Sequence, residues 1–304
     1  MRLHWTPAGG DAVRLDRDPR WALLGVAGHG APDTAIHTAG TPDRDERTPV
    51  HAPALPRIVT LRLQIGGDDL AAFERNRAAL AAAFAPWRDS GLRARPGILT
   101  ATLADGRVRS LRAVPRQGLS WGVGRQRGSR GLESISLEAP DPFWYDPAGA
   151  RGRLRIGRAG ALRFDAAGEL AFPAGFGSDL PSAQATVRNA GSVRSFPVLT
   201  LTGPSVNPRF RLGATGHELA FALTVPAGVQ LRVRCGAQPD GSADAPAAHL
   251  IDDLGGESSV LGSLRTGSRF WALGPGDNRV LVAQDSPAGG TTVEYEYFPR
   301  HVAI

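Results

Sequence analysis

Only one stretch of this chain repeats its apolar residues at helical spacing; wherever else a pattern exists, its period is two. The helical stretch is GGDDLAAFERNRAALAAAFAPW, where Leu70, Phe73, Leu80 and Phe84, with alanines between them, form one stripe over Asp68–Phe84. Asp68 reads as the N-cap after two glycines, Asp69 suits the positive end of the helix dipole, and Pro86 ends the segment. A lone amphipathic helix must lay its stripe on something, and the rest of the sequence offers sheet. Leu61, Leu63 and Ile65 share one parity in LPRIVTLRLQI, as do Val280 and Val282, and Val293, Tyr295 and Tyr297. The expectation is a mainly β protein with one helix.

Turn chemistry divides the strands. Glycine (38 residues) and proline (24) are abundant, so the β-architecture is built from short strands. Asp105-Gly106 between Gly97–Leu103 and Arg107–Val114 predicts a hairpin. Leu132–Leu137 reads as a strand with Ile135 and Leu137 inward. APDTAIHTAGTPDRDERTPVHAP is too polar to bury much surface and reads as an exposed loop. QGLSWGVGRQRGSRG, which carries Arg125, Arg127 and Arg130, reads as a protruding loop and a candidate interface.

In EAPDPFWYDPAG two Asp-Pro steps bracket Phe143, Trp144 and Tyr145, and proline there excludes helix. A domain boundary near Pro147 is expected, giving domains 1–147 and 148–304, with the aromatic triplet pinning the junction. Beyond it, strands and turns alternate without a helix, as in a β-sandwich. The last of these turns is read at Gly276-Asp277-Asn278, between two closing strands, with Ser286, Pro287, Gly289 and Gly290 supplying a further reversal.

Composition narrows function by exclusion. The formal net charge is +6 and all 35 basic residues are arginine, which together with the Ala, Gly and Pro excess reads as GC-rich coding rather than nucleic-acid recognition. Cys235 is the one cysteine, so neither an intramolecular disulfide nor a cysteine metal site is expected. Its parity with Val229, Leu231 and Val233 suits a small buried hydrophobe. No run approaches the length of a membrane helix, and the N-terminus lacks a secretory apolar core.

Motifs of chemistry fail on context. GLSWG satisfies G-x-S-x-G around Ser120, yet no helix follows and no His–Asp pair can be assigned to it. GVGRQRG misses a dinucleotide fingerprint by one residue, and DDLGGE (Asp252–Glu257) reads as a surface turn without the alternation of a calcium loop. The seven histidines lack metal-helix spacing. No catalytic residue, cofactor or metal is expected. The aromatics Phe143, Trp144 and Tyr145, or Trp271, would be the candidates if the chain bound sugar.

The ordered fragments DPFWYDP (Asp141–Pro147), FPVLTLTGPSVNPRF (Phe196–Phe210), HLIDD (His249–Asp253), PGDNRV (Pro275–Val280) and VEYEYFPRH resemble the distal tail (Dit) proteins of long-tailed bacteriophages. The helix after an early strand, Gly66–Phe84, is similar to that family's N-domain. The resemblance implies an N-terminal β-sandwich or barrel-like domain that builds a hexameric ring, and a C-terminal galectin-like, carbohydrate-module-like β-sandwich. It implies a non-enzymatic virion component at the tail tip, assembled in the host cytoplasm. Its partners would be the tail tube, tape-measure and hub proteins, and receptor-binding or side-fibre proteins, with DNA passing the lumen unrecognised. The alternative is a carbohydrate-binding β-sandwich module used for adhesion.

Overall fold

The computed structural model describes residues 1–40, 47–85, 94–119, 129–156, 181–285 and 291–304. They form two compact units: Met1–Pro147 together with His301–Ile304, and Ala148–Arg300. The last four residues therefore leave the domain expected at 148–304. The reason is local to the first unit, where Ile304 packs on the core and the Val302 carbonyl accepts a hydrogen bond from Arg57 at 2.6 Å.

The first unit comprises β1 (Arg2–Thr6), β2 (Val13–Arg14), β3 (Trp21–Ala27), β4 (His37–Ala39), β5 (Thr48–His51), β6 (Arg57–Gly66), α1 (Leu70–Ala83), β7 (Gly97–Thr102), β8 (Val108–Gly118), β9 (Arg130–Ala139) and β10 (Trp144–Tyr145). Its main sheet runs in the order β2-β1-β7-β8-β9-β6-β3. The first half of β8 pairs with β7 and its last residues pair with β9, across a bulge between Pro115 and Gln117. A bulge bends its strand, so β8 turns the corner between the two halves of the sheet, whose inward residues share one core.

The inward parity is as expected. Val59, Leu61, Leu63 and Ile65 on β6 meet Ile135 and Leu137 on β9 in one buried cluster. Helix α1 contributes Phe73 and Leu80, and Phe84 stacks on Trp5 at 5.2 Å between ring centres. Leu70, expected in the same stripe, is 51% exposed, because it opens the helix outside that cluster. Asp69, and not Asp68, is the N-cap: its Oδ1 accepts from the Ala72 amide at 2.6 Å. The Asp105-Gly106 reversal forms as expected, with Gly106 at φ +85°, a conformation that suits glycine.

One strand carries no expectation from the sequence and one local reading changes. WALLGVA is strand β3, paired with β6 through a register shift between Leu23 and Gly25. The described residues of the polar stretch before β6 are largely exposed, but they form a ribbon rather than a loop: β4 pairs with β5, and His37 lies opposite His51 with the two rings stacked 6.0 Å apart.

The second unit comprises β11 (Ala150–Arg155), β12 (Ser182–Asn189), β13 (Val198–Thr202), β14 (Ser205–Val206), β15 (Arg209–Leu212), β16 (Glu218–Ala220), β17 (Thr224–Val225), β18 (Gln230–Arg234), β19 (Ala247–Ile251), β20 (Glu257–Ser259), β21 (Gly276–Ala283) and β22 (Thr292–Tyr297). A six-stranded sheet, β11-β22-β13-β18-β19-β20, and a four-stranded sheet, β12-β21-β15-β16, share one core. Leu154, Leu201, Leu231 and Val293 come from the first, Val187, Phe210, Val280 and Val282 from the second. Phe210 meets Phe221 edge to face at 6.4 Å. Alternation of inward apolar residues on two facing sheets makes this a β-sandwich.

The closing strands are not a hairpin around Gly276-Asp277-Asn278. β21 and β22 lie in different sheets, and Gly276, Asp277 and Asn278 begin β21 opposite Asn189, Arg188 and Val187. The Asn278 side chain explains the turn-like composition. It is buried, accepts from the Gly274 amide at 2.8 Å and donates to the Gly274 and Gly276 carbonyls at 2.7 and 2.9 Å. It thus shapes the backbone that leads into the strand. The turn formers Ser286, Pro287, Gly289 and Gly290 lie outside the described residues.

Candidate functional site

The second unit presents a polar trough on the outer face of its six-stranded sheet. Strand pairing determines who faces whom, since residues directly opposite in an antiparallel ladder share a face. One row across the sheet reads Arg153, Glu294, Thr200, Arg232, His249, Ser259. The neighbouring row reads Arg151, Glu296, Val198, Arg234, Ala247. Val198 is buried and Thr200 half-buried, while Arg151, Arg153, Glu294 and Glu296 stand exposed. Short residues on β13 form a floor and long ones on β11, β22 and β18 form the walls. The open space between them is about 580 Å³.

The walls are wired in pairs. Arg153 donates from Nε to Glu294 Oε1 at 2.9 Å and from Nη2 to the same oxygen. Arg232 reaches Glu296 Oε1 from Nη2 at 3.4 Å. With about half of each Arg153 and Glu294 side chain in solvent, such a pair contributes about 0–1 kcal/mol to stability. In the same row the Arg232 Nε is buried with no hydrogen-bond partner among the described residues, and His249 Nδ1 lies 3.9 Å from Glu257 Oε2.

Other chemistry is sparse. Among the described residues no group of three or more His, Cys, Asp or Glu side chains is placed to hold a metal. Cys235 is buried, and desolvation pushes its thiol up to about 12. Asp252–Gly256 is the turn between β19 and β20, with the Asp252 carboxylate accepting from the Leu254 and Gly256 amides, and Glu257 opens β20. No helix among the described residues is long and apolar enough to cross a membrane.

The sequence-derived sites disperse. Arg125, Arg127 and Ser120 lie outside the described residues, whereas Arg130 is the first residue of β9, opposite Gly66, and not in a loop. Trp144 is fully buried in the core of the first unit and Tyr145 is buried opposite Ser110. Phe143 is half-buried. Trp271 is 3% exposed and sits in the core of the second unit. Neither Trp144 nor Trp271 offers a ring face to a sugar, because each serves as packing. The trough itself left no local signal in the sequence: its residues are the outward half of ordinary strands and converge only through register.

The fold is that of phage tail-hub proteins, a β-rich pair of units with one α-helix among the described residues. No protein-family model and no curated protein sequence matches the chain. Among solved structures, it is similar to the Dit (gp 19.1) protein of phage SPP1, described as a paradigm of the hub adsorption apparatus in phages infecting Gram-positive hosts. That match has 14% identity and a TM-score of 0.61, and covers 97% of this chain and 98% of the other. It is also similar to a chain of the phage P2 baseplate in its activated conformation with Ca, at 8% identity and a TM-score of 0.53, over 100% of both chains. The same baseplate with Sr gives the same values.

Proposed function

We propose that this chain is a structural, non-enzymatic subunit of a long-tailed phage tail tip or of a related particle. In this reading it forms a ring, hexameric by the sequence resemblance, that joins the tail tube to the hub and its receptor-binding apparatus. The observation that carries the reading is the end-to-end match to a hub protein, 97% of this chain on 98% of that one. A match over nearly the whole of both chains is a stronger likeness than a single shared sandwich, a fold that serves many roles.

The first unit suits the ring-building part. Its sheet ends in β2 on one side and β3 on the other, and open sheet edges are ready for strand addition by a neighbour. The β4–β5 ribbon is exposed at every residue. Two strands alone are marginal in water, so the ribbon gains its stability when another surface covers it. A heterologous contact repeated around an axis closes into a ring. Tail tube, tape-measure and hub proteins are the expected neighbours, with DNA passing the lumen and the assembled particle as the protein's location.

Mass photometry and negative-stain imaging of the purified chain, alone and with its co-expressed tail partners, test this. Rings with six-fold averages support it. A species that stays monomeric even with the tube and hub proteins present counts decisively against it.

A further inference from the structure

The outer trough of the second unit has a shape and a charge that together define a ligand. Its volume of about 580 Å³ falls within the roughly 300–1,000 Å³ of small-molecule sites. Its lining departs from the apolar norm of such sites: Arg151, Arg153, Arg232, Gln230, Glu294 and Glu296 surround a floor of Val198 and Thr200. A partner with broad apolar surface finds little to bury there. A molecule covered in hydroxyls finds planar donors and acceptors at close spacing, since a guanidinium fork and a carboxylate each match two adjacent hydroxyl groups.

Charge adds a second requirement. Three arginines against two glutamates leave the lining at net +1, and Arg155 and Arg234 stand on the same face of β11 and β18. Arg153 is engaged by Glu294 and Arg232 by Glu296. Arg151, exposed opposite Glu296, has no ion pair among the described residues and is left for an anion. His249, opposite Arg232 and 3.9 Å from Glu257 Oε2, extends the polar row beyond the walls. All of these groups sit on paired strands, so binding requires little ordering of backbone.

We propose that this trough binds a short acidic saccharide, about two or three sugar rings carrying a carboxylate. Arg151 takes the carboxylate, Glu294 and Glu296 accept from ring hydroxyls, and Arg153 and Arg232 hold those two glutamates in place. The inference stands on the second unit alone and holds whichever assembly the chain enters.

Isothermal titration of the full chain with trigalacturonate, with maltotriose as a neutral control, tests it. Trigalacturonate binds, maltotriose binds at least about tenfold more weakly, and Arg151→Ala loses about tenfold in affinity, a loss of roughly 1.4 kcal/mol. Arg151→Lys retains part of that affinity, and Thr200→Trp, which fills the floor, abolishes binding. Arg151 is exposed, so its variants keep the test valid if the tryptophan variant fails to fold. No binding of trigalacturonate at millimolar concentration overturns the proposal. So does binding that Arg151→Ala leaves unchanged, or full displacement of the saccharide by an equal concentration of inorganic phosphate, which would make this a simple anion site.

Discussion

Arg57 donates from Nη2 to the carbonyl oxygen of Val302, 245 residues further along the chain, at 2.6 Å. The same guanidinium reaches the carbonyls of Pro142 at 2.5 Å, Gly28 at 2.7 Å, and Gly30. Arg57 is 2% exposed, and burial lowers its pKa from the usual arginine value without discharging it. Four carbonyls from three segments take the place of a counter-ion. The charge is stabilised by oriented backbone dipoles, and the segments are fixed by the charge.

Arg57→Met is expected to destabilise the first unit by about 3–5 kcal/mol, since it strands several buried carbonyls at once. Deleting residues 301–304 removes one of the acceptors and is expected to cost less. Combining the two changes gives less than the sum, because they share a network. Urea unfolding followed by tryptophan fluorescence measures all three. Strict additivity would remove Val302 from the network.

The capping assignment separates two adjacent carboxylates. Asp69→Ala is expected to lose about 1 kcal/mol as the Ala72 amide loses its acceptor. Asp68→Ala is expected to change stability by less than about 0.5 kcal/mol. Thermal unfolding of the two variants side by side decides it; equal losses would mean that the cap is shared.

Asn278→Asp is expected to be worse than Asn278→Ala. The amide nitrogen donates to the Gly274 and Gly276 carbonyls, and a carboxylate would set oxygen against oxygen in a buried place. The alanine variant forfeits buried hydrogen bonds and costs about 1–3 kcal/mol, and the aspartate variant costs more. Chemical denaturation ranks them, and a milder effect of aspartate would contradict the assigned orientation of the amide.

Cys235 gives a pH dependence with a definite sign. Its folded pKa of about 12 stands above the reference value of 9.0, because desolvation outweighs a backbone hydrogen bond at Trp271. A raised pKa contributes stability that is fully present below the unfolded value and is lost as pH rises through the folded one. This contribution therefore declines from about pH 9 to about pH 12, and Cys235→Ala removes that part of the slope. In the native protein at pH 8, a thiol-reactive dye is expected to label Cys235 only as fast as the second unit opens. Fast labelling without unfolding would refute the burial.

How far local pattern reached can be argued from particular elements. β6 and the Asp105-Gly106 turn were legible because alternation and turn chemistry are properties of neighbours in sequence. β3 escaped because its register shift at Leu23 and Gly25 breaks the alternation, leaving exposed and half-buried residues mixed. β11 escaped for another reason: in Ala-Arg-Gly-Arg-Leu-Arg only Leu154 is buried, so the strand shows almost no inward signal. Gly276-Asp277-Asn278 misled because asparagine suits a turn and also suits a buried bracket beneath a strand. The trough was invisible for a deeper reason. Arg153, Glu294, Thr200 and Arg232 become neighbours only when three ladder registers are known, and outward polar residues do not announce theirs.

The return of residues 301–304 to the first unit carries a consequence for the order of synthesis. Residues 148–300 are, in topology, an insertion within the first unit, which the ribosome begins first and completes last. Throughout translation of the second unit, Arg57 waits with one acceptor unmade. The second unit can close while the first is still provisional, and a fusion or cut placed between Arg300 and Val302 would disturb the fold at the other end of the chain.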